Sequence, residues 1–221
     1  MTTLLAIDTA TPNLVVGLLC KNRVYVAPVI NTIVLTDVVL PAIEAVLKEA
    51  CCSKQTIDAM VVGIGPGSFI GVRTAIATAQ GLALALNCPV VPVSSLELIA
   101  KAAYLQHGFK KIAVAWDARM QAVYFGQYCF DGSNQNFKDQ LLTPAEIVIK
   151  ESDWAAVGNG WQQYYDQFSF DIETQFVNQD FLQLPCAEAL LQLGIESLEK
   201  GMAIAAEKLE ANYIRQKVTS V

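Results

Sequence analysis

Histidine is almost absent from this chain. Among 221 residues only His107 carries an imidazole, which argues against histidine-rich metal sites and leaves any Ser-His or Cys-His pair a single candidate base. Positive charge is scarce as well. Lys and Arg number 15 against 21 Asp and Glu, a net charge of −6; nucleic-acid backbones are held by basic patches, so stand-alone nucleic-acid binding is disfavoured. The six cysteines (Cys20, Cys51, Cys52, Cys88, Cys129 and Cys186) contain no Cys-x-x-Cys pair. That pattern suggests neither a zinc ribbon nor a thioredoxin-type motif, and reduced thiols in a cytoplasmic compartment are expected. The segment Met1 to Asp8 lacks a basic region and meets a carboxylate too early for a signal peptide. The most apolar helical stretch, Thr74 to Leu86, lies between Arg73 and Asn87 and is too short to span a bilayer. What the chain has in abundance is apolar character: 53% of residues are hydrophobic and 16% charged, a composition for one or two packed domains.

The order of elements reads as α/β. Leu4 to Asp8, Leu14 to Leu19 and Val24 to Ile30 are expected strands, separated by the turns Thr9 to Asn13 and Lys21-Asn22-Arg23. Val34 to Ala50 has helix length, with Pro41 as a kink or first-turn marker. Ile57 to Ile64 is a β-branched run without alternation, as a buried central strand requires. A helix from about Ser68 to Leu86, a strand Val90 to Val93 and a helix from about Ser95 to Leu105 complete a βββαβαβα series. A second series follows: strands Lys111 to Trp116 and Ala122 to Cys129, a polar loop Asp131 to Lys138, mixed structure at Thr143 to Ile149, a strand Trp154 to Val157, and a helix from about Pro185 to Lys208. A division near His107-Gly108 gives lobes 1–107 and 108–221, the last helix packing back on the first lobe.

Gly63-Ile64-Gly65-Pro66-Gly67-Ser68-Phe69-Ile70-Gly71-Val72-Arg73 is the strongest local feature. A glycine loop between a strand and a helix N-terminus can cradle an anion. No Gly-Lys-Ser/Thr follows it, so it is not a P-loop, and its spacing is not that of a dinucleotide fingerprint. The structural alternative is a tight turn built by Gly65, Pro66, Gly67 and Gly71 with Ser68 as N-cap, and this is the favoured reading. Ser68 also lacks a Gly-x-Ser-x-Gly elbow around it. Asp8-Thr9-Ala10-Thr11 ends the first strand where actin-like ATPases and sugar kinases carry Asp-x-Gly. Ala10 at the glycine position opposes close approach of phosphate, whereas Asp8 as a turn acid needs no ligand. Asp117 and Arg119 flank a hairpin and can pair across it, contributing at most about 1 kcal/mol if exposed.

The helix after the glycine loop is apolar on two sides. Val72, Ile76, Ala79 and Leu86 form a face for the sheet, while Thr74, Ala77, Thr78, Gly81 and Ala85 form the opposite face at three-to-four spacing. The preceding helix, with Val38, Val39, Ile43, Val46 and Leu47, also exceeds a single stripe. Either the second half of the chain covers this surplus or a partner does, and a patch of this kind favours a partner.

Leu4 to Thr11, the Gly65-Pro66-Gly67-Ser68-Phe69 block with Gln80-Gly81-Leu82, Val93-Ser94-Ser95-Leu96, Asp117-Ala118-Arg119-Met120 with Val123-Tyr124, and Tyr213-Ile214-Arg215 together resemble the TsaB (YeaZ) family over almost the whole chain. The resemblance implies a two-lobed actin-like (ASKHA, RNase H-like) α/β fold with mixed sheets flanked by helices. It implies a non-catalytic subunit of the machinery that makes threonylcarbamoyladenosine beside the tRNA anticodon. Its expected partners are a TsaD-like catalytic subunit, which carries the metal-binding histidines, and a TsaE-like ATPase, with homodimerisation when alone. Contact with tRNA is expected only through the complex; no cofactor, metal or membrane is. The expected interface is Thr36, Val39, Leu40, Ile43 and Leu47 of the first helix and Arg73, Thr74, Ala77, Thr78, Gly81 and Ala85 of the second. Two places depart from the family: Leu35 opens the first helix where a histidine is common, and Ile70 replaces a threonine. The alternative reading is a free-standing actin-like nucleotide hydrolase or a peptidase.

Overall fold

The computed structural model describes residues 2–28, 35–132 and 138–214. The end of the third expected strand, part of the polar loop after Asp131, and Arg215 lie outside the described residues. The first series comprises β1 (Leu4–Asp8), β2 (Val15–Cys20), β3 (Arg23–Val26), α1 (Leu35–Glu49), β4 (Ala59–Gly63), α2 (Phe69–Leu86), β5 (Val90–Val93) and α3 (Ser95–His107). The second comprises β6 (Lys111–Asp117), β7 (Val123–Cys129), β8 (Gln140–Leu142), β9 (Ala155–Val157), α4 (Asn159–Gln163), α5 (Ile172–Gln175), β10 (Asn178–Asp180) and α6 (Ala187–Glu199). Two mixed five-stranded sheets result, in the orders β3-β2-β1-β4-β5 and β10-β9-β6-β7-β8.

The compact units do not follow the division near His107-Gly108. One consists of Met1–Leu98 with Pro185–Asn212, the other of Ile99–Leu184 with Tyr213–Val221. In the first unit β1 runs antiparallel to β2 and parallel to β4, which in turn runs parallel to β5. Alternation along the strands gives this sheet two covered faces. Leu5, Ile7, Val16, Leu18, Met60 and Val62 join the core beneath α1 and α2. On the other face Gly17 lies against Ala187 and Val61 against Gly194, both partners belonging to α6. A strand fully buried on both faces has no reason to alternate, which is why β4 reads as an unbroken apolar run.

The last helix is shorter than its sequence pattern suggests. It ends at Glu199, and Gly201 then takes a left-handed φ of +69°, a conformation that glycine adopts at little steric cost. The chain continues as a strap. Ile204 pairs with Val90, and the Gln80 side-chain amide of α2 donates to the carbonyls of Ala206 (3.1 Å) and Leu209 (3.0 Å). The Asn212 amide then donates to the Ile64 carbonyl at 2.8 Å.

The second unit is organised around the β6–β7 hairpin, with β9 added parallel to β6 and β10 parallel to β9. Its core is aromatic. Trp161 of α4 is fully buried, meets Phe125 and Phe176 edge-on, and donates its indole N–H to the Ala113 carbonyl at 3.1 Å. Truncation here removes a large apolar group and leaves that carbonyl without this donor. Trp161→Ala is therefore expected to lower the unfolding free energy by about 3–5 kcal/mol, measured by urea denaturation, with amide exchange accelerating first in β6 and β7.

Candidate functional site

The glycine loop leaves β4 at Gly63 and enters α2 through Ser68, whose hydroxyl accepts the Gly71 amide at 3.2 Å. The Gly65–Pro66 peptide is cis, and Gly65 has φ +87°. The loop is pressed against the turn after β1. The Ser68 amide donates to the Ala10 carbonyl at 2.7 Å, and the Thr9 hydroxyl donates to the Gly71 carbonyl at 2.6 Å. Side chains are excluded from this contact: a Cβ on Gly71 would overlap the Thr9 carbonyl oxygen, and one on Gly67 the Ala10 carbonyl oxygen.

Asp8 ties the arrangement together. Its carboxyl is fully buried, with Oδ1 accepting the Ala10 amide at 3.0 Å and Oδ2 accepting the Ser95 hydroxyl at 2.6 Å. That hydroxyl accepts the Gly65 amide at 3.1 Å, while the Ser95 amide donates to the Gly65 carbonyl at 2.9 Å. The amides of Ala10, Gly65, Ser68 and Gly71, which an anion cradle would need, are thus engaged by protein oxygens. Burial pushes the Asp8 carboxyl above its ordinary range, the bonds from Ser95 and Ala10 opposing the shift in part. What the loop does geometrically is fix the start of α2.

From that start α2 runs for 18 residues with Val72, Ala75, Ile76, Ala79 and Ala83 turned into the core. It exceeds the thirteen residues of the expected apolar stretch, and by length and composition it could cross a bilayer. Its packing on the sheet and its grip on the strap make it a helix of the folded unit. Only 33% of it is buried, although no charged stripe occupies the remainder. Ala77, Gly81 and Ala85 are exposed, and Thr74 and Thr78 half-buried. A Cβ placed on Gly81 meets nothing within 4 Å.

Arg73 is exposed and lies over the Phe69 ring, 3.3 Å from its centroid. On α1, Thr36 and Leu40 are exposed and Leu47 is half-buried. Val39 and Ile43, expected at the interface, are only 1% and 4% exposed. They point into the core, because α1 turns that stripe toward β2. The sequence reading also missed Phe69, Ile70 and Leu84, which are 60%, 70% and 54% exposed. Ile70, Ala77 and Leu84 recur at intervals of seven, the spacing that would have revealed them on this face. The one histidine, His107, lies elsewhere, its Nε2 2.8 Å from Asp180 Oδ2.

Two mixed sheets, each flanked by helices, define an actin-like α/β protein. The TsaD family model, tRNA N6-adenosine threonylcarbamoyltransferase, matches residues 26–219. A curated Escherichia coli K12 relative, tRNA threonylcarbamoyladenosine biosynthesis protein TsaB, is 34% identical, the match covering 97% of this chain and 95% of that protein. Its Haemophilus influenzae counterpart of the same name is 33% identical over 98% and 95%. The crystal structure of YeaZ from Pseudomonas aeruginosa superposes with a TM-score of 0.88 at 36% identity, covering 96% of this chain and 100% of that one. The chain belongs to the TsaB (YeaZ) family.

The buried carboxyl gives this site a pH signature. Unfolded, Asp8 titrates near 3.8; folded, it titrates higher. The folded state therefore holds the extra proton between those two values, and stability is expected to fall as pH rises through that window, levelling off above it. Asp8→Asn is expected to flatten that part of the profile, and Ser95→Ala to cost about 1–3 kcal/mol at neutral pH by removing a partner from a buried acceptor. Denaturation curves from pH 3 upward check both.

Proposed function

We propose that this chain is a non-catalytic scaffold subunit in tRNA threonylcarbamoyladenosine biosynthesis, acting in the cytoplasm. Its exposed α2 face, with Thr36 and Leu40 of α1 beside it, docks on a TsaD-like catalytic subunit and orders that partner's nucleotide-and-metal cleft. Threonylcarbamoyl transfer onto the tRNA adenosine then proceeds on the partner, a TsaE-like ATPase joins the assembly, and tRNA is met only through the complex. Without the partner the same face pairs with a second copy, since an isologous contact hides equal apolar area on both chains.

The observation that carries this reading is the exposed outer face of α2, on which Arg73 is the one charged residue. A predominantly apolar helix face open to water marks a contact surface. At its centre Gly81 offers open space rather than a packing contact. Mid-helix glycine costs about 0.5–1 kcal/mol relative to alanine, a cost with no return among the described residues, whereas a smooth surface lets another backbone approach closely. Engagement of the glycine-loop amides by protein oxygens supports the same reading over nucleotide hydrolysis.

Gly81→Arg is expected to preserve the fold, because the added side chain enters open space. It should abolish both co-purification with the TsaD-like subunit and self-association in sedimentation. Gly81→Ala should raise the stability of the separate chain by about 0.5–1 kcal/mol. Retained association of the arginine variant, or tight ATP binding with turnover by the isolated chain, overturns the reading.

A further inference from the structure

Two cysteines distant in sequence meet at one end of the first unit's sheet. Cys20 is the last residue of β2, one step beyond the Leu4–Leu19 pair of the β1–β2 ladder, and is 3% exposed. Cys52 follows α1, where its amide donates to the Leu47 carbonyl at 3.0 Å and closes the end of the helix. The chain then returns to β1. The Asp58 amide donates to the Thr3 carbonyl at 2.9 Å, and the Thr3 amide donates to the Asp58 carboxylate at 2.7 Å. This return lays Cys52 against the core cluster that contains Cys20, Val46 and Ile57. The Cys20 side chain is hydrogen-bonded to the Cys52 sulfur and to the Thr3 side chain.

The two sulfurs differ in access. The Cys52 sulfur beside it, and then its own burial, hold the Cys20 thiol above the ordinary cysteine range. Cys20 therefore stays protonated and donates to Cys52. Cys52 is half-buried, its sulfur 3.2 Å from the Thr56 hydroxyl oxygen at the surface, where a molecule the size of a peroxide reaches it. A reachable sulfur backed by a second thiol is the arrangement in which one cysteine meets an oxidant and the other resolves it. Among the described residues no group of three His, Cys, Asp or Glu side chains is placed to hold a metal ion, so the pair is not a fragment of a metal site there.

We infer that Cys20 and Cys52 form a reversible redox-modification site, oxidised by hydrogen peroxide to a disulfide that ties the end of α1 to β2. The Cys52 thiolate attacks one peroxide oxygen, the O–O bond breaks, and the departing hydroxide takes up a proton to leave as water. Cys52 is then a sulfenic acid. The Cys20 sulfur attacks the Cys52 sulfur, the S–O bond breaks, and the hydroxyl leaves as water with the Cys20 proton. The two thiols lose two electrons, and one peroxide becomes two waters. In a reducing compartment such a bridge is transient, because other thiols exchange with it and restore the pair. The inference is independent of the scaffold reading.

The test treats the full chain with stoichiometric hydrogen peroxide, then alkylates and digests it. Peptide mapping should find Cys20 joined to Cys52, and the thiols titrated in the denatured protein should fall by two from six. Dithiothreitol should restore them. A bridge closing the segment that contains α1 restricts the unfolded chain, so the oxidised protein's thermal midpoint should rise by several degrees. Cys51→Ser should leave the bridge intact. Cys20→Ala, which keeps the buried position apolar, should leave Cys52 as a sulfenic acid that dimedone captures, whereas Cys52→Ser, at a half-buried position, should leave Cys20 unoxidised at the same dose. A bridge through Cys51, a bridge between two chains, or an unchanged thiol count overturns the inference. A bridged chain whose midpoint does not rise overturns it as well, since α1 is then not tied down.

Discussion

A single buried carboxyl holds the first unit's working geometry. Asp8 lies at the carboxyl end of β1, where β1, the glycine loop and the start of α3 converge. It receives the Ser95 hydroxyl while that hydroxyl receives the Gly65 amide. Burying a carboxyl is unfavourable unless donors surround it. Here the Ala10 amide and the Ser95 hydroxyl donate to it, and the Gly65 amide donates to that same hydroxyl, so the arrangement also specifies the mutual positions of the first turn, the glycine loop and α3. The Gly67 and Gly71 contacts with Ala10 and Thr9 then fix where α2 begins. Loss of this junction would leave α2 packed through Val72, Ala75 and Ala79 but without a defined first turn, and its outer face would no longer be presented in one orientation. In phosphate-binding loops such amides wait for a ligand. In this chain the ligand's place is taken by the preceding turn, so a loop type associated with anions serves as a brace.

The same brace explains the balance of apolar surface on α2. One side faces the sheet and the flank carries Gln80, which holds the strap by two carbonyls. Among the described residues nothing in the first unit requires the outer side to be apolar, yet Ile70, Ala77, Gly81, Leu84 and Ala85 line it. For a separate chain, charged residues there would be cheaper and more soluble. α1 behaves differently: most of its apolar stripe, including Val39, Ile43 and Val46, is consumed by the core. The exposed apolar surface is consequently narrower and more centred on α2 than a count of apolar residues on both helices implies.

Much of the fold was legible because its signals are local. β4 is an unbroken apolar run because both faces are covered, α2 is announced by a glycine loop and a serine cap, and the β1–β2 and β2–β3 hairpins are marked by short polar turns. The elements that escaped were short or depended on distant partners. β8 and β10 have three residues each and exist because a longer strand offers them hydrogen bonds. α6 stopped early because Gly201 ends it and the following residues bind Val90 and Gln80 instead of continuing the helix. At the candidate site, spacing correctly put Thr74, Ala77, Thr78, Gly81 and Ala85 on one face. It could not tell that Val39 and Ile43 turn inward, since the rotation of α1 is set by β2 and not by the helix's own pattern.

Gly81 forgoes stability that a simple substitution would supply, since a methyl group would fit there and strengthen the helix. Natural sequences agree with their folds at most positions, so disagreement at an exposed position that touches little of the chain's own core points to selection for something outside the chain. Glycine at that point keeps the surface flat, which suits a helix laid against it; such a face permits close approach but by itself gives little discrimination between partners.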